Sequence, residues 1–366
     1  MPAMDALAGF QTPCLLVDLA AVRANVAAML RMLDGDVARW RPHVKTCKVP
    51  EVLDVLLAAG VTHFKCATTR EAAVLLGRQS AGIDLLVAMA HRGANLARVA
   101  TLAEAFPGHR VALLTESPEH AAEVRAASAR LGLFVDLDPD WGRSGIPLDD
   151  HERIAATVRA AGDALRGLHC YEGHLRADAA TRRAACTALY GRLLDVADRL
   201  ALDPSLELCT SGTPAFPFAL EDPRLRARRH RVGPGTVVYW DTTSASYGIE
   251  GFRPAVHVLA TVISSPRPGR VTCDAGSKAL DAACGDPCAA VESAPHLVAR
   301  TPSEEHLPLD CTGTGPAPRP GDRLRLVPRH VCPAVNLADE AVLLDGERVL
   351  GVVPVRARGH EVDGTR

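Results

Sequence analysis

Short runs of aliphatic and β-branched residues alternate with longer amphipathic stretches along most of this chain. That alternation constrains the fold more than any other feature. Extended runs are expected at residues 38–43, 62–66, 83–88, 110–114, 133–137, 167–171, 206–210 and 230–234. Helical patterns fall between most of them, at 49–59, 70–78, 95–105, 119–131, 149–161 and 179–200. A further helix at 18–33 follows an opening strand at 12–17. Eight strands with intervening helices in about 200 residues predict a parallel (β/α)8 barrel of the TIM type. After about residue 250 the texture changes, and residues 256–264, 270–274, 323–328 and 341–345 read as strands between Pro and Gly turns. The expected organisation is a barrel over residues 1–250 and a β-rich C-terminal domain over 251–366, with residues 1–12 able to join the second. No internal repeat or low-complexity tract interrupts this pattern.

Charge and cysteine usage narrow the function classes. Lys+Arg number 41 against 43 Asp+Glu, a net charge of −2, so no cationic excess drives the chain onto nucleic acid by counterion release. No uncharged apolar run reaches the about 18 residues a membrane span needs, so no membrane partner is expected. The opening residues lack the basic and apolar regions of a secretory signal, and a cytoplasmic location is expected. The 11 cysteines are scattered, several within apolar runs such as those holding Cys66, Cys170 and Cys209. They are expected as free thiols, most of them buried, with Cys284 and Cys288 in a loop.

In a parallel barrel the chemistry gathers where strands end. The first strand runs into RPHVKTCK (41–48), which places Lys45 at the mouth. A lysine desolvated there can act as a Schiff-base nucleophile, the alternative being a solvated surface lysine. The fifth strand ends in DLDPDWGRSG (136–145), where Arg143 sits in a glycine-flanked turn suited to an anionic oxygen. The sixth ends in YEGH (171–174). The seventh and eighth end in TSGT (210–213) and GPGT (233–236), two small loops whose backbone N–H groups can approach a phosphate. Further on, His330 and Cys332 stand two apart in HVCPAVNL (330–337). On a strand they would share a face and could hold one divalent ion with positions left for water or substrate.

Taken together, TPCLLVDL (12–19), RPHVKTCK (41–48), KCATTREA (65–72), GRSGI (142–146), GLHCYEGH (167–174), SGTPAFPF (211–218), GPGTVVYWD (233–241), CDAGSKAL (273–280), SEEHL (303–307) and HVCPAVNL (330–337) resemble the D-threonine aldolase / D-serine dehydratase family. These are pyridoxal 5'-phosphate enzymes of the alanine racemase fold type, fold type III. The resemblance spans nearly the whole chain. It implies that Lys45 carries the imine to the cofactor, with His43 packed nearby, and that Arg143 lies by the cofactor's 3-oxygen. It implies that Tyr171 stands beside the ring, and that Ser211, Gly212, Thr213, Gly235 and Thr236 form the loops that receive the phosphate. It implies that His330 and Cys332 bind a divalent metal, zinc ahead of manganese or magnesium because of the thiolate. A homodimer acting on a small β-hydroxy D-amino acid is the implied assembly.

Two reactions fit those parts. Retro-aldol cleavage gives glycine and an aldehyde, and dehydration gives a 2-oxo acid and ammonia. Cys332 resembles the dehydratase branch. The stretches LHCYEGH, TPAFPF, PGTVVYWD and SEEHL read more like the aldolase branch, which sets D-threonine aldolase-type cleavage first and D-serine dehydratase second. Aldolases of the family carry a base-like histidine a few residues beyond the tyrosine; Ala177 occupies that place here and His174 is the candidate instead. An amino-acid racemase would need a tyrosine from the second domain, but the last tyrosine is Tyr247. A non-catalytic pyridoxal carrier would lack the tail beyond residue 250.

Overall fold

A computed structural model describes residues 4–78 and 82–362. The chain forms two compact units, each drawn from separate stretches. One comprises residues up to Met29, Thr46–Val55 and Thr236–Arg358; the other comprises Leu30–Lys45, Leu56–Gly235 and the residues from Gly359 onward.

Strand β1 (Cys14–Asp18) belongs to the first unit. The second unit is built on parallel strands: β2 (His63–Cys66), β3 (Asp84–Val87), β4 (Arg110–Thr115), β5 (Leu131–Asp138), β6 (Ile146–Pro147), β7 (Leu165–Cys170), β8 (Glu207–Thr210) and β9 (His230–Val232). They pair in the order β2-β3-β4-β5-β7-β8-β9, with the two-residue β6 attached to β5. Residues 40–43 fill the remaining place through two isolated parallel bridges, Trp40 to Val232 and His43 to Lys65. Pro42 at their centre has no N–H to give a ladder. Its carbonyl still accepts from Lys65, and Arg41 donates to Val232. The eight extended runs expected from the sequence are therefore all present, the first as bridges only.

The helices between these strands begin where the local chemistry says they should. Thr68 and Glu71 form a reciprocal capping box ahead of Thr69–Leu76, and Asp150 and Asp178 cap His151–Ala161 and Ala179–Arg199. The barrel interior holds an apolar layer of Leu86, Ala112, Leu114, Phe134 and Cys209. Nearer the strands' N-terminal ends it holds buried charge. Arg41, wholly buried, donates to both oxygens of Glu207 at 2.6 and 2.7 Å and to Asp84 at 2.9 Å, while Arg231 reaches Glu207 at 2.5 Å. Burial pushes the Glu207 carboxyl up, but the charge and hydrogen bonds of Arg41 outweigh it and hold the group below the usual range.

The first unit is a mainly antiparallel β structure. Its other strands are β10 (Val256–Arg267), β11 (Arg270–Cys273), β12 (Ala289–Val291), β13 (Leu297–Ala299), β14 (Leu307–Cys311), β15 (Arg323–Pro328), β16 (Glu340–Asp345) and β17 (Arg348–Pro354). The order β11-β14-β13-β12-β15-β10 returns from β10 to β11, which closes a ring. β1 pairs antiparallel with β10 and parallel with β16, so the N-terminal strand is part of this unit. Leu7, Leu16, Leu259, Val342 and Leu344 pack as its core beside β1. All 11 cysteines are free thiols. Among the described residues no helix is long and apolar enough to cross a membrane.

Candidate active site

Lys45 lies just past the 40–43 bridges, and its N–H donates to Nδ1 of His43 at 3.2 Å. Its side chain is exposed. The desolvated amine expected at this position is therefore not produced by the chain's own packing. The buried lysine of the barrel is instead Lys65 on β2, 1% exposed, with Nζ 5.6 Å from the centre of the Tyr171 ring. A Cβ on Gly233 would stand 2.2 Å from that Nζ. Lys65 was not distinguishable in the sequence because HFKCA reads as an ordinary strand. Its face becomes legible only once Lys65 is seen opposite Leu86, which belongs to the interior layer.

The turn after β5 is held by carboxylates. Asp138 accepts the N–H groups of Trp141 and Gly142, Ser144 donates to Asp136 at 3.0 Å, and Gly145 donates to Glu116 at 2.7 Å. Gly145 has φ +99°, and a Cβ there would meet the backbone of Asp138 at 2.7 Å, so only glycine fits. This turn presents Arg143, exposed, with its guanidinium 4.1 Å from the Trp141 ring centre and 5.0 Å from that of Tyr171. His174 stacks on Trp141 at 5.2 Å, and its Nδ1 is buried without a hydrogen-bond partner. Nε2 is left as the atom with which His174 can carry a proton. Arg143, Tyr171 and His174 are thus gathered around Trp141, a residue the sequence did not mark.

The loop after β8 is fixed from beneath. Ser211 adopts φ +66° and donates both its N–H and its Oγ to Glu172, at 3.0 and 2.7 Å. Tyr190 donates to the same carboxylate at 2.6 Å. Burial, then the Glu172 charge, pushes the Tyr190 hydroxyl far above its ordinary range and keeps it a donor. With both donors directed to Glu172, Ser211 shapes the loop. Gly212, Thr213 and Gly235 differ: their N–H groups donate to nothing among the described residues. A Cβ on Gly212 would come within 2.8 Å of the Tyr171 ring, and one on Gly235 within 2.3 Å of the His43 carbonyl oxygen. Unused backbone donors in a cradle that a Cβ would fill suit a phosphate group. Thr236 follows as the first residue of a 3-10 turn, Thr236–Val238.

The barrel mouth also holds a pair that sequence spacing did not reveal. His169 Nδ1 lies 2.7 Å from Asp136, both buried. Burial lowers the His169 pKa, and Lys65 and Arg143 add to that against the pull of Asp136. The signal was the register: Asp136 and His169 face each other across β5 and β7.

His330 and Cys332 lie in the β-rich unit, and not on a strand. His330 is the N-cap of a short helix, Val331–Leu337, which contains Cys332. Asp241 accepts the Val331 N–H at 3.0 Å, which favours the turn over the extended form. The face-sharing argument for the pair therefore fails. His330 Nδ1 is 3.9 Å from Asp281, and Cys332 Sγ is 3.1 Å from Thr46 Oγ1 and 3.9 Å from Thr236 Oγ1. No group of three or more His, Cys, Asp or Glu side chains placed to hold a metal occurs among the described residues. An imidazole and a thiol are donors of the type that suits zinc, but as a set of two.

Comparison with known proteins bears on both units. Residues 17–243 match the alanine racemase N-terminal domain, and residues 255–344 match a serine dehydratase domain. A D-threonine aldolase of Arthrobacter sp is 29% identical, over 97% of this chain and 94% of its own. A D-threo-3-hydroxyaspartate dehydratase of Delftia sp. is 29% identical over 75% of this chain and 74% of its own. The crystal structure of D-threonine aldolase from Filomicrobium marinum superimposes with a TM-score of 0.84 at 25% identity, covering 96% of this chain and 97% of that one. The chain belongs to the alanine racemase N-terminal domain family, the fold type III pyridoxal 5'-phosphate enzymes, and within it resembles the D-threonine aldolases and their dehydratase relatives.

Proposed function

We propose that this chain is a pyridoxal 5'-phosphate-dependent lyase of β-hydroxy D-amino acids, cleaving D-threonine-type substrates to glycine and an aldehyde. The observation that carries the reading is the glycine cradle at the barrel mouth, where unused N–H groups of Gly212, Thr213 and Gly235 lie beside Tyr171 and His43. The substrate class is supported by the aldolase relatives, which match nearly the full chain.

Bound at that cradle, the cofactor supplies an electron sink for the substrate's Cα. The chain's residues do the rest. Lys45 would hold the cofactor through its Nζ, on a side chain whose exposure leaves the amine free to move. Arg143 would face the cofactor's 3-oxygen and favour its anionic form, and Tyr171 would stand beside the ring, with His43 nearby. His174 takes the β-hydroxyl proton at Nε2, the nitrogen left available by its stacking on Trp141. Were a divalent metal bound, His330 and Cys332 would be its donors from this chain, zinc ahead of manganese or magnesium, and it would supply a Lewis acid. Release of glycine then needs a proton returned to Cα, for which Lys45 is the donor. A homodimer, which the resemblance implies, and a cytoplasmic location complete the proposal.

Dehydration of D-serine to pyruvate and ammonia is the second reading. The thiol at Cys332 and the dehydratase relative favour it. Here Lys45 would take the Cα proton, and a metal at His330 and Cys332 would supply Lewis acidity toward the leaving hydroxide.

Product analysis decides between them. Incubated with D-threonine and D-serine, the enzyme is expected to give glycine with acetaldehyde. Pyruvate with ammonia as the main products would transfer it to the dehydratases, and no turnover of either substrate would contradict both readings. Exhaustive chelation is expected to abolish turnover and added zinc or manganese to restore it; full activity after chelation would remove His330 and Cys332 from the chemistry.

A further inference from the structure

Five arginines converge on a cavity of the barrel unit that this chemistry does not use. Arg39, Arg226, Arg228, Arg229 and Arg231 line it, and its volume is about 300 Å³. Residues 33–39 lead into the first bridge at Trp40, and residues 226–231 lead into β9. The cavity therefore lies toward the N-terminal ends of the strands, whereas the loops at 211–213 and 233–235 follow their C-terminal ends.

The charges around it do not balance. Arg226 pairs with Asp34, and Arg228 pairs with Asp198. Arg231 pairs with Glu207, but that carboxylate also takes both hydrogen bonds of the buried Arg41. Asp36 accepts the N–H of Ala38. Arg39 and Arg229 have no ion pair among the described residues, and Arg229 reaches only the carbonyl of Ser205. Burial is the main cause that holds Arg39 and Arg231 below the ordinary arginine range; Arg226 adds to it at Arg39 against Asp36 and Asp34, and Arg41 and Arg229 add to it at Arg231 against Glu207.

Hydrogen bonding is also incomplete. Nη2 of Arg39, Nε of Arg231 and Nδ1 of His230 are buried without a partner. Arg231 and His230 are only 5% and 4% exposed. His230 meets Thr210 through Nε2 at 2.8 Å, which leaves Nδ1 on the other side of the ring. A buried polar group left unpaired costs about 1–3 kcal/mol, so three in one neighbourhood mark a strained, cation-rich wall beside the cavity. Arg229 is left without a carboxylate partner, and guanidinium geometry suits tetrahedral oxyanions through paired N–H groups.

We propose that this cavity binds a small phosphate-class dianion, inorganic phosphate or a phosphate monoester, at a site separate from the cofactor's own phosphate. The test uses cofactor-saturated enzyme, so that the loops at 211–213 and 235–236 are already filled. Inorganic phosphate and adenosine monophosphate are titrated by calorimetry while the cofactor's visible absorbance is followed. Saturable binding with unchanged absorbance is expected. It should weaken by about tenfold or more when Arg39→Gln and Arg229→Gln are combined. It should tighten in Asp34→Asn, which removes a competing carboxylate at a position (φ +54°) that asparagine tolerates. Tighter binding of the nucleotide than of phosphate identifies a monoester as the ligand, and the reverse order identifies free phosphate. Absence of saturable binding of either probe overturns the proposal, as does an affinity that none of these substitutions changes. If the arginine variants do not fold, the Asp34→Asn arm decides alone.

Discussion

A Cβ on Gly235 would lie 2.3 Å from the carbonyl oxygen of His43, closer than any real contact, so the loop there exists in its present form only without a side chain. Gly235→Ala is therefore expected to move the loop and weaken pyridoxal phosphate binding by about tenfold, roughly 1.4 kcal/mol. A spectroscopic titration with the cofactor measures this. Gly108→Ala, where an added Cβ meets nothing within 4 Å, is the matched control, and equal affinities in the two variants would contradict the cradle. At this scale the sequence was informative wherever a residue type has one physical use at a strand end. Glycine loops, Arg143 in its turn and the YEGH histidine are of that kind. It was uninformative where function depends on which way a side chain faces. Lys65, His169 and Trp141 were invisible for that reason, and the hold of Glu172 on Ser211 was not legible because the two lie 39 residues apart in the chain.

The elements were legible because periodicity and caps speak locally. The helices expected at 18–33, 49–59 and 179–200 are found at Leu19–Met32, Pro50–Ala58 and Ala179–Arg199. The exceptions are short elements settled by distant partners. The 330–337 segment is a helix because Asp241 receives the Val331 N–H, and β12 and β13 are strands too short to carry a pattern. The same dependence on distant partners governs the charged layer inside the barrel. Glu207 on β8 is the shared acceptor of Arg41 and Arg231, which enter from the 40–43 segment and from β9. Glu207→Gln leaves two buried guanidinium groups short of a counter-charge. It is expected to destabilise the fold by about 3–5 kcal/mol, read from the urea midpoint. A loss below about 1 kcal/mol would show that this layer does not bind the elements together.

For the whole molecule, acid should act through buried imidazoles. Burial, then nearby arginines, lowers His63 to about 4 and His230 to about 3 from 6.5. Both are then neutral in the folded chain at neutral pH. As pH falls below about 6.5 the unfolded chain takes up protons that the folded chain refuses. Stability is expected to be flat above that pH and to fall below it, by up to roughly 1.4 kcal/mol per pH unit for each group. The fall through His63 ends near pH 4 and that through His230 near pH 3. Urea midpoints between pH 7.5 and 5 read this out, and His230→Gln should flatten the slope. An unchanged slope in that variant would mean that His230 is not the refusing group.

Two amines stand at the barrel mouth as candidates to hold the cofactor, exposed Lys45 and buried Lys65. Borohydride reduction of the purified, cofactor-loaded enzyme, followed by peptide mapping, fixes the link permanently and locates it. The pyridoxyl group is predicted on Lys45. Its recovery on Lys65, or on neither lysine, would contradict the assignment.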